Sequence, residues 1–237
     1  MYSNMQQYLI IGGSNGIGKA LATQLAKEGK HIIATFNKNE PQQEDTNIHY
    51  HHLNVLDETH SLDFIPEELT GIVYCPGSIN LRPFERIKLA DFEADYQLQV
   101  IGAIKIIQAV LPKLKKAENA SIVLFSTVAV QSGFPFHAQV AASKGALEGL
   151  TKALAAEYAP KIRVNCIAPS LTDTPLAAML LNNEQKKEAN AQRHPMKRVG
   201  NAEDIAAMAA FLLSEKASWI SGQIFHVDGG MSSLKVN

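Results

Sequence analysis

Short runs of almost wholly apolar residues alternate along the 237-residue chain with longer stretches whose apolar positions recur every three or four residues. The short runs read as buried strands and the long stretches as one-sided helices, and their alternation predicts a parallel sheet covered by helices on both faces. "QYLIIGG" is a strand ending in glycines, and "GIGKALATQLAKEGK" follows as a helix with Ile17, Leu21 and Leu25 on one face, stopped at Gly29. "HIIATF", "NIHYHHLNV" and "GIVYC" supply the second to fourth strands. A long helix is expected over roughly 91–115, with Phe92, Tyr96, Val100 and Ile104 on its buried side. "SIVLFS" is the fifth strand, a helix from about 137 to 159 comes next, and "KIRVNCIAP" is the sixth. Residues 175–193 read as a mobile amphipathic excursion, "NAEDIAAMAAFLLS" as a helix and "GQIFHVDGG" as the last strand. Eleven polar residues, "NKNEPQQEDTN", join the second strand to the third and leave room for a stunted helix at most, against which Pro41 works. No repeat or linker interrupts this order. The expectation is one α/β domain over 1–237, doubly wound, with a seven-stranded parallel sheet.

Composition narrows the class without changing the fold. Apolar residues make up 46% of the chain and charged ones 19%, a globular balance. A net charge of −1, without basic runs, gives nucleic acid or an anionic membrane nothing to hold. The first thirteen residues lack a basic segment and a long apolar run, so neither a signal peptide nor a membrane span is expected, and the location is read as cytoplasmic. Cys75 and Cys166 have no metal-ligand spacing and read as buried thiols. "HYHH" at 49–52 alternates its side chains between two faces of a strand, and no metal site is expected.

Chemistry enters at "GGSNGIG", which joins the first strand to the first helix with glycines at 12, 16 and 18. Glycines there allow a tight turn, and a helix N-terminus offers free N–H groups and a positive dipole end to a pyrophosphate. The alternative, a turn and nothing more, accounts less well for three glycines behind a buried strand. Gly12, Ser14, Asn15, Gly16, Ile17 and Gly18 are therefore the expected dinucleotide loop.

Together, "GGSNGIG", the segment "HAQVAASKGALEGL", "RVNCIAPSLTDTPL" and "SGQIFHVDGG" resemble the short-chain dehydrogenase/reductase family nearly end to end. The resemblance implies a Rossmann-type fold, a nicotinamide cofactor, hydride transfer to or from a small, partly apolar carbonyl or alcohol substrate, and a homotetramer or homodimer. It assigns Lys144 to the cofactor ribose and Gly77, Pro169, Thr172 and Thr174 to the nicotinamide end. It also puts Thr127 at the serine position that orients the substrate oxygen, Gln99 at the asparagine position, and Asn54 with Val55 beside the adenine. Asn37 and Lys38 follow the second strand where a carboxylate would select NAD, so NADP is favoured, unless both merely decorate a solvated turn.

The departure is at Val140, four residues before Lys144, where the family carries its proton-transferring tyrosine. An isopropyl group exchanges no proton, and losing a positioned acid/base typically costs about 10²–10⁴ in rate. His137, seven residues before Lys144, is a candidate replacement, because an imidazole can carry a proton; packing in a loop is the plainer reading. Ser126 is a second hydroxyl beside Thr127. The sequence leaves three readings: an oxidoreductase with an atypical site, a non-catalytic dinucleotide-binding protein, and a structural relic that binds no nucleotide, against which the glycine loop, Lys144 and Thr174 argue.

Overall fold

The chain folds around one seven-stranded, all-parallel sheet in the order β3-β2-β1-β4-β5-β6-β9, seen in a computed structural model describing residues 6–38, 40–42, 45–59 and 61–235. The strands are β1 (Gln7–Ile11), β2 (His31–Phe36), β3 (Ile48–His52), β4 (Gly71–Tyr74), β5 (Ala120–Phe125), β6 (Ile162–Pro169) and β9 (Ile224–Val227). Central strands covered on both faces need apolar side chains at every position, which is why β1 and β5 show no polar alternation. A two-residue parallel pair, β7 (Thr172–Asp173) with β8 (Gly200–Asn201), lies apart from this sheet and was not visible as a pattern.

Helices cover both faces. On one, α1 (Gly16–Lys27) and α7 (Ala202–Leu213) bury Leu21, Leu25, Ile205 and Leu212 against Ile10, Ile32 and Val123. A capping box starts α7: Asn201 Oδ1 accepts from the Asp204 N–H, and Asp204 Oδ2 accepts from the Asn201 N–H, each at 2.8 Å. On the other face, α2 (Leu89–Tyr96), α3 (Gly102–Leu114) and α5 (Ala138–Tyr158) enclose a core that includes Leu9, Ile72, Ile106, Val110 and Leu147. The short α4 (Ala129–Ser132) precedes α5, and the excursion before β8 holds a 3₁₀ turn over Pro175–Leu180 and α6 (Glu184–Gln192). The described residues between β2 and β3 carry no helix.

The expected single helix over 91–115 is corrected. A five-residue π turn, Gln97–Ile101, separates α2 from α3, and the buried side of α2 carries Asp95 while Tyr96 is 41% exposed. The turn has a visible cause. The Gly102 N–H reaches back five residues to Gln97 O, which releases the Leu98 carbonyl to accept from the Tyr74 hydroxyl at 2.6 Å. Only glycine permits this, since a Cβ on Gly102 would lie 2.4 Å from the Tyr74 oxygen. Ile17 is half-buried and serves both of its expected places, packing against the core and facing the cavity.

Candidate active site

The C-terminal ends of β1, β4, β5 and β6 open on one side of the sheet, the side where a doubly wound fold binds ligands. A cavity of about 400 Å³ lies there. The glycine loop reaches the cavity wall through Ile17; within the loop Gly12 and Gly16 have φ of +75° and +52°, and a Cβ on Gly18 would stand 2.3 Å from the Gly12 carbonyl oxygen. The loop is therefore closed to side chains at these points. Asn15 occupies the N-cap of α1 without a side-chain hydrogen bond to the helix, so the first-turn amides keep their donors for an outside acceptor. Thr174 packs on Gly16, where an added Cβ would meet it at 3.5 Å, and thereby joins the glycine loop to the segment after β6.

Lys144, Val140, Thr127, Gln99, His137, Gly77, Ile17, Pro169, Thr172 and Thr174 all line this cavity, so residues up to 157 positions apart meet as expected. Lys144 projects from α5 and is only 9% exposed. Among the described residues its amine has no hydrogen-bond or ion-pair partner. Burial lowers its pKa to about 8, against the opposing pull of the Asp95 carboxylate. Gln99, held in the π turn, donates from Nε2 to Asp95 at 2.8 Å, and its Oε1 is buried without a partner. Gly77 leaves this corner open: a Cβ there would sit 3.4 Å from Gln99 Oε1 and 3.7 Å from Lys144 Nζ. Burial pushes the Cys75 thiol beside it up to about 12, as it does Cys166, so both stay protonated near neutrality.

Thr127 accepts from the Ala129 N–H at 3.3 Å, leaving its hydroxyl proton free to point into the cavity. Ser126 is not equivalent, since it donates to Glu148, which also accepts from Gln131. His137 is the N-cap of α5, with Nδ1 2.8 Å from the Pro135 carbonyl. A carbonyl only accepts, so Nδ1 carries the proton and Nε2 is the nitrogen left for a ligand.

Asn54 is engaged within its own turn, where its Oδ1 accepts from the Leu56 N–H and its Nδ2 donates to Asp57 at 2.7 Å. Val55 is buried and faces Gly102. Asn37 and Lys38 are exposed just beyond β2, at the same sheet edge but outside the cavity wall. No group of three His, Cys, Asp or Glu side chains is placed to hold a metal among the described residues; His51 instead stacks on Phe64 with centroids 4.2 Å apart, and His60 lies outside the described residues.

Sequence reasoning missed two features. Asp95 is buried and accepts from Ser143 at 2.6 Å as well as from Gln99 and Ser78, fixing α2, α5 and the strand β4 exit to one another. Ser170 and the buried His194 form a pair in the cavity wall, Oγ to Nε2 at 2.8 Å, with His194 Nδ1 2.8 Å from the Asn190 carbonyl. The 3₁₀ turn and α6 bring Leu176, Met179, Lys186 and Arg193 over the mouth.

With this geometry in place, residues 12–232 match the family model described as Enoyl-(Acyl carrier protein) reductase. The chain is 32% identical to the 3-oxoacyl-[acyl-carrier-protein] reductase FabG of Thermotoga maritima, over 94% of this chain and 96% of that one. The chain belongs to the short-chain dehydrogenase/reductase family. Another relative, the human Dehydrogenase/reductase SDR family member 4, is 31% identical over 95% of this chain and 87% of its own. Among solved short-chain dehydrogenase/reductase-like structures, ElxO with NADP bound superimposes with a TM-score of 0.89 at 28% identity, covering 97% of this chain and all of that one. No helix among the described residues is long and apolar enough to cross a membrane.

Proposed function

We propose that this protein is an NADP(H)-binding oxidoreductase that interconverts a carbonyl and an alcohol at an atypical site. One observation carries the reading: the unpartnered Lys144 amine on the cavity floor. A buried cation without a counter-ion destabilises the fold and contributes nothing to it, and such groups concentrate at functional sites. The uncapped α1 N-terminus at the same cavity supports a dinucleotide as the ligand, and the names of similar proteins point the same way: a reductase, and a structure solved with NADP.

In this reading the glycine loop holds the pyrophosphate, Asn37 and Lys38 hold the 2′-phosphate, Lys144 grips the nicotinamide ribose, and Pro169, Thr172 and Thr174 seat the nicotinamide. Bound NADPH supplies the hydride. Thr127 donates a hydrogen bond to the substrate oxygen and orients it. The positive charge of Lys144 stabilises that oxygen as negative charge develops on it. Val140 can donate nothing, so the proton comes from water, or from His137 as the imidazolium, in which Nε2 carries the second proton. Gln99 Oε1 accepts from a water linked to Lys144.

Val140 also favours a second reading. An apolar side chain in the wall where the family keeps its proton donor suits a non-catalytic dinucleotide-binding protein, a sensor or an inactive partner subunit. Calorimetry with NADPH and NADH, followed by carbonyl-dependent NADPH consumption, separates these cases. Tight NADPH binding with weaker NADH and measurable turnover by the unaltered chain is the expected result. Turnover that appears only in Val140→Tyr establishes the non-catalytic reading, and no binding of either nucleotide overturns both.

A further inference from the structure

The cavity wall segregates charge in a way the dinucleotide does not use up. The chain has 22 basic and 23 acidic residues, yet Lys144, Lys186 and Arg193 line the cavity and, among the described residues, no aspartate or glutamate does. Lys186 and Arg193 project from α6 and its end, across the cavity from the glycine loop. Neither has a carboxylate partner among the described residues, whereas the neighbouring Lys187 pairs with Asp173 at 3.1 Å.

Arg193 is also oriented. Its guanidinium lies over the Phe134 ring, 6.0 Å from the centroid, and Phe134 in turn meets the His137 ring at 5.6 Å. A cation–π contact of this kind uses none of the guanidinium N–H donors, and among the described residues only one of them is engaged, weakly, by Asn190 Oδ1 at 3.5 Å. A planar fork with free donors matches a carboxylate or a phosphate. Between this rim and the Lys144 floor the wall is apolar, formed by Ile79, Leu81, Val140, Leu176 and Met179.

We propose that the outer half of the cavity takes an apolar chain with an anionic end, a carboxylate or a phosphate monoester, held by Arg193 and Lys186. As a substrate class this rests on the oxidoreductase reading; the anion site itself does not. The apolar wall fixes the body of the ligand, and the two cations fix which end points outward. A carbonyl in the body then lies toward Thr127 and Lys144.

The test is calorimetric titration of the NADP-saturated protein with octanoate, octyl phosphate and octan-1-ol, with NADPH affinity measured on every variant. One of the two anions should bind at least tenfold more tightly than the alcohol, and the better of them identifies the source of the charge. The double variant Arg193→Gln/Lys186→Gln should lose about tenfold for the anion while octan-1-ol and NADPH are unchanged, and Lys187→Gln should behave as the parent. Equal binding of alcohol and anions overturns the proposal, as does a double variant whose loss falls on NADPH instead. If NADPH fails to bind the unaltered chain, the same titrations without nucleotide still decide the anion site, so its failure is distinct from that of the dinucleotide reading.

Discussion

At the scale of single residues, Lys144 concentrates the cost of this site. The fall of its pKa from 10.5 to about 8 means that keeping it charged in the fold costs about 3 kcal/mol. Between those values the unfolded chain holds a proton that the folded chain has lost, so stability from this group rises with pH across the window. Lys144→Met should therefore be about 2–3 kcal/mol more stable than the parent at pH 7, with the difference shrinking from pH 8 to 10.5. Denaturant melts at stepped pH check this, and nucleotide affinity should fall in the same variant. Part of this corner was legible in the sequence, because Val140, Lys144, His137 and Thr127 sit at fixed short spacings. Asp95 was not: an acidic residue in a mostly polar stretch reads as solvent-facing, and only the fold shows Ser78, Ser143 and Gln99 converging on it. The Ser170–His194 pair escaped for a related reason, since 24 residues and a helix separate two side chains that nothing local connects.

Among the elements, strands and most helices were legible because parallel strands covered on both faces must be continuously apolar and one-sided helices must repeat near 3.6. The π turn was not, since one extra residue inside a helix leaves the apolar spacing on either side intact while rotating one half against the other. That rotation turned Tyr96 outward and Asp95 inward. The turn depends on a pair, Tyr74 and Gly102, and the pair should respond as one. Gly102→Ala meets the Tyr74 hydroxyl and should cost about 1–3 kcal/mol by overpacking. Tyr74→Phe leaves the Leu98 carbonyl without its partner and should cost about 1–3 kcal/mol. The double variant should be less destabilised than the two costs added, because removing the hydroxyl also removes the clash. A thermodynamic cycle from urea melts measures that coupling.

Over the whole molecule, two apolar cores flank one sheet and every candidate group lies at a single edge of it. Ligand binding at that edge therefore reports on the stability of the entire domain. NADPH at a hundred times its dissociation constant should stabilise the fold by about 2.7 kcal/mol, which for a chain of this size is about 5–10 °C in Tm, and NADH at equal concentration should give a smaller shift. Differential scanning fluorimetry checks this without knowledge of the substrate. The one-sided charge of the cavity wall has a consequence of its own. With no acidic side chain among the described residues lining the cavity beside Lys186 and Arg193, these rim cations take their counter-ions from solution, and chloride or buffer phosphate competes in the same field that draws a ligand in. At 0.1 M ionic strength that field is screened within about 10 Å. The rim of this cavity is thus most selective for an anion in dilute buffer and loses that selectivity, cation by cation, as salt is added.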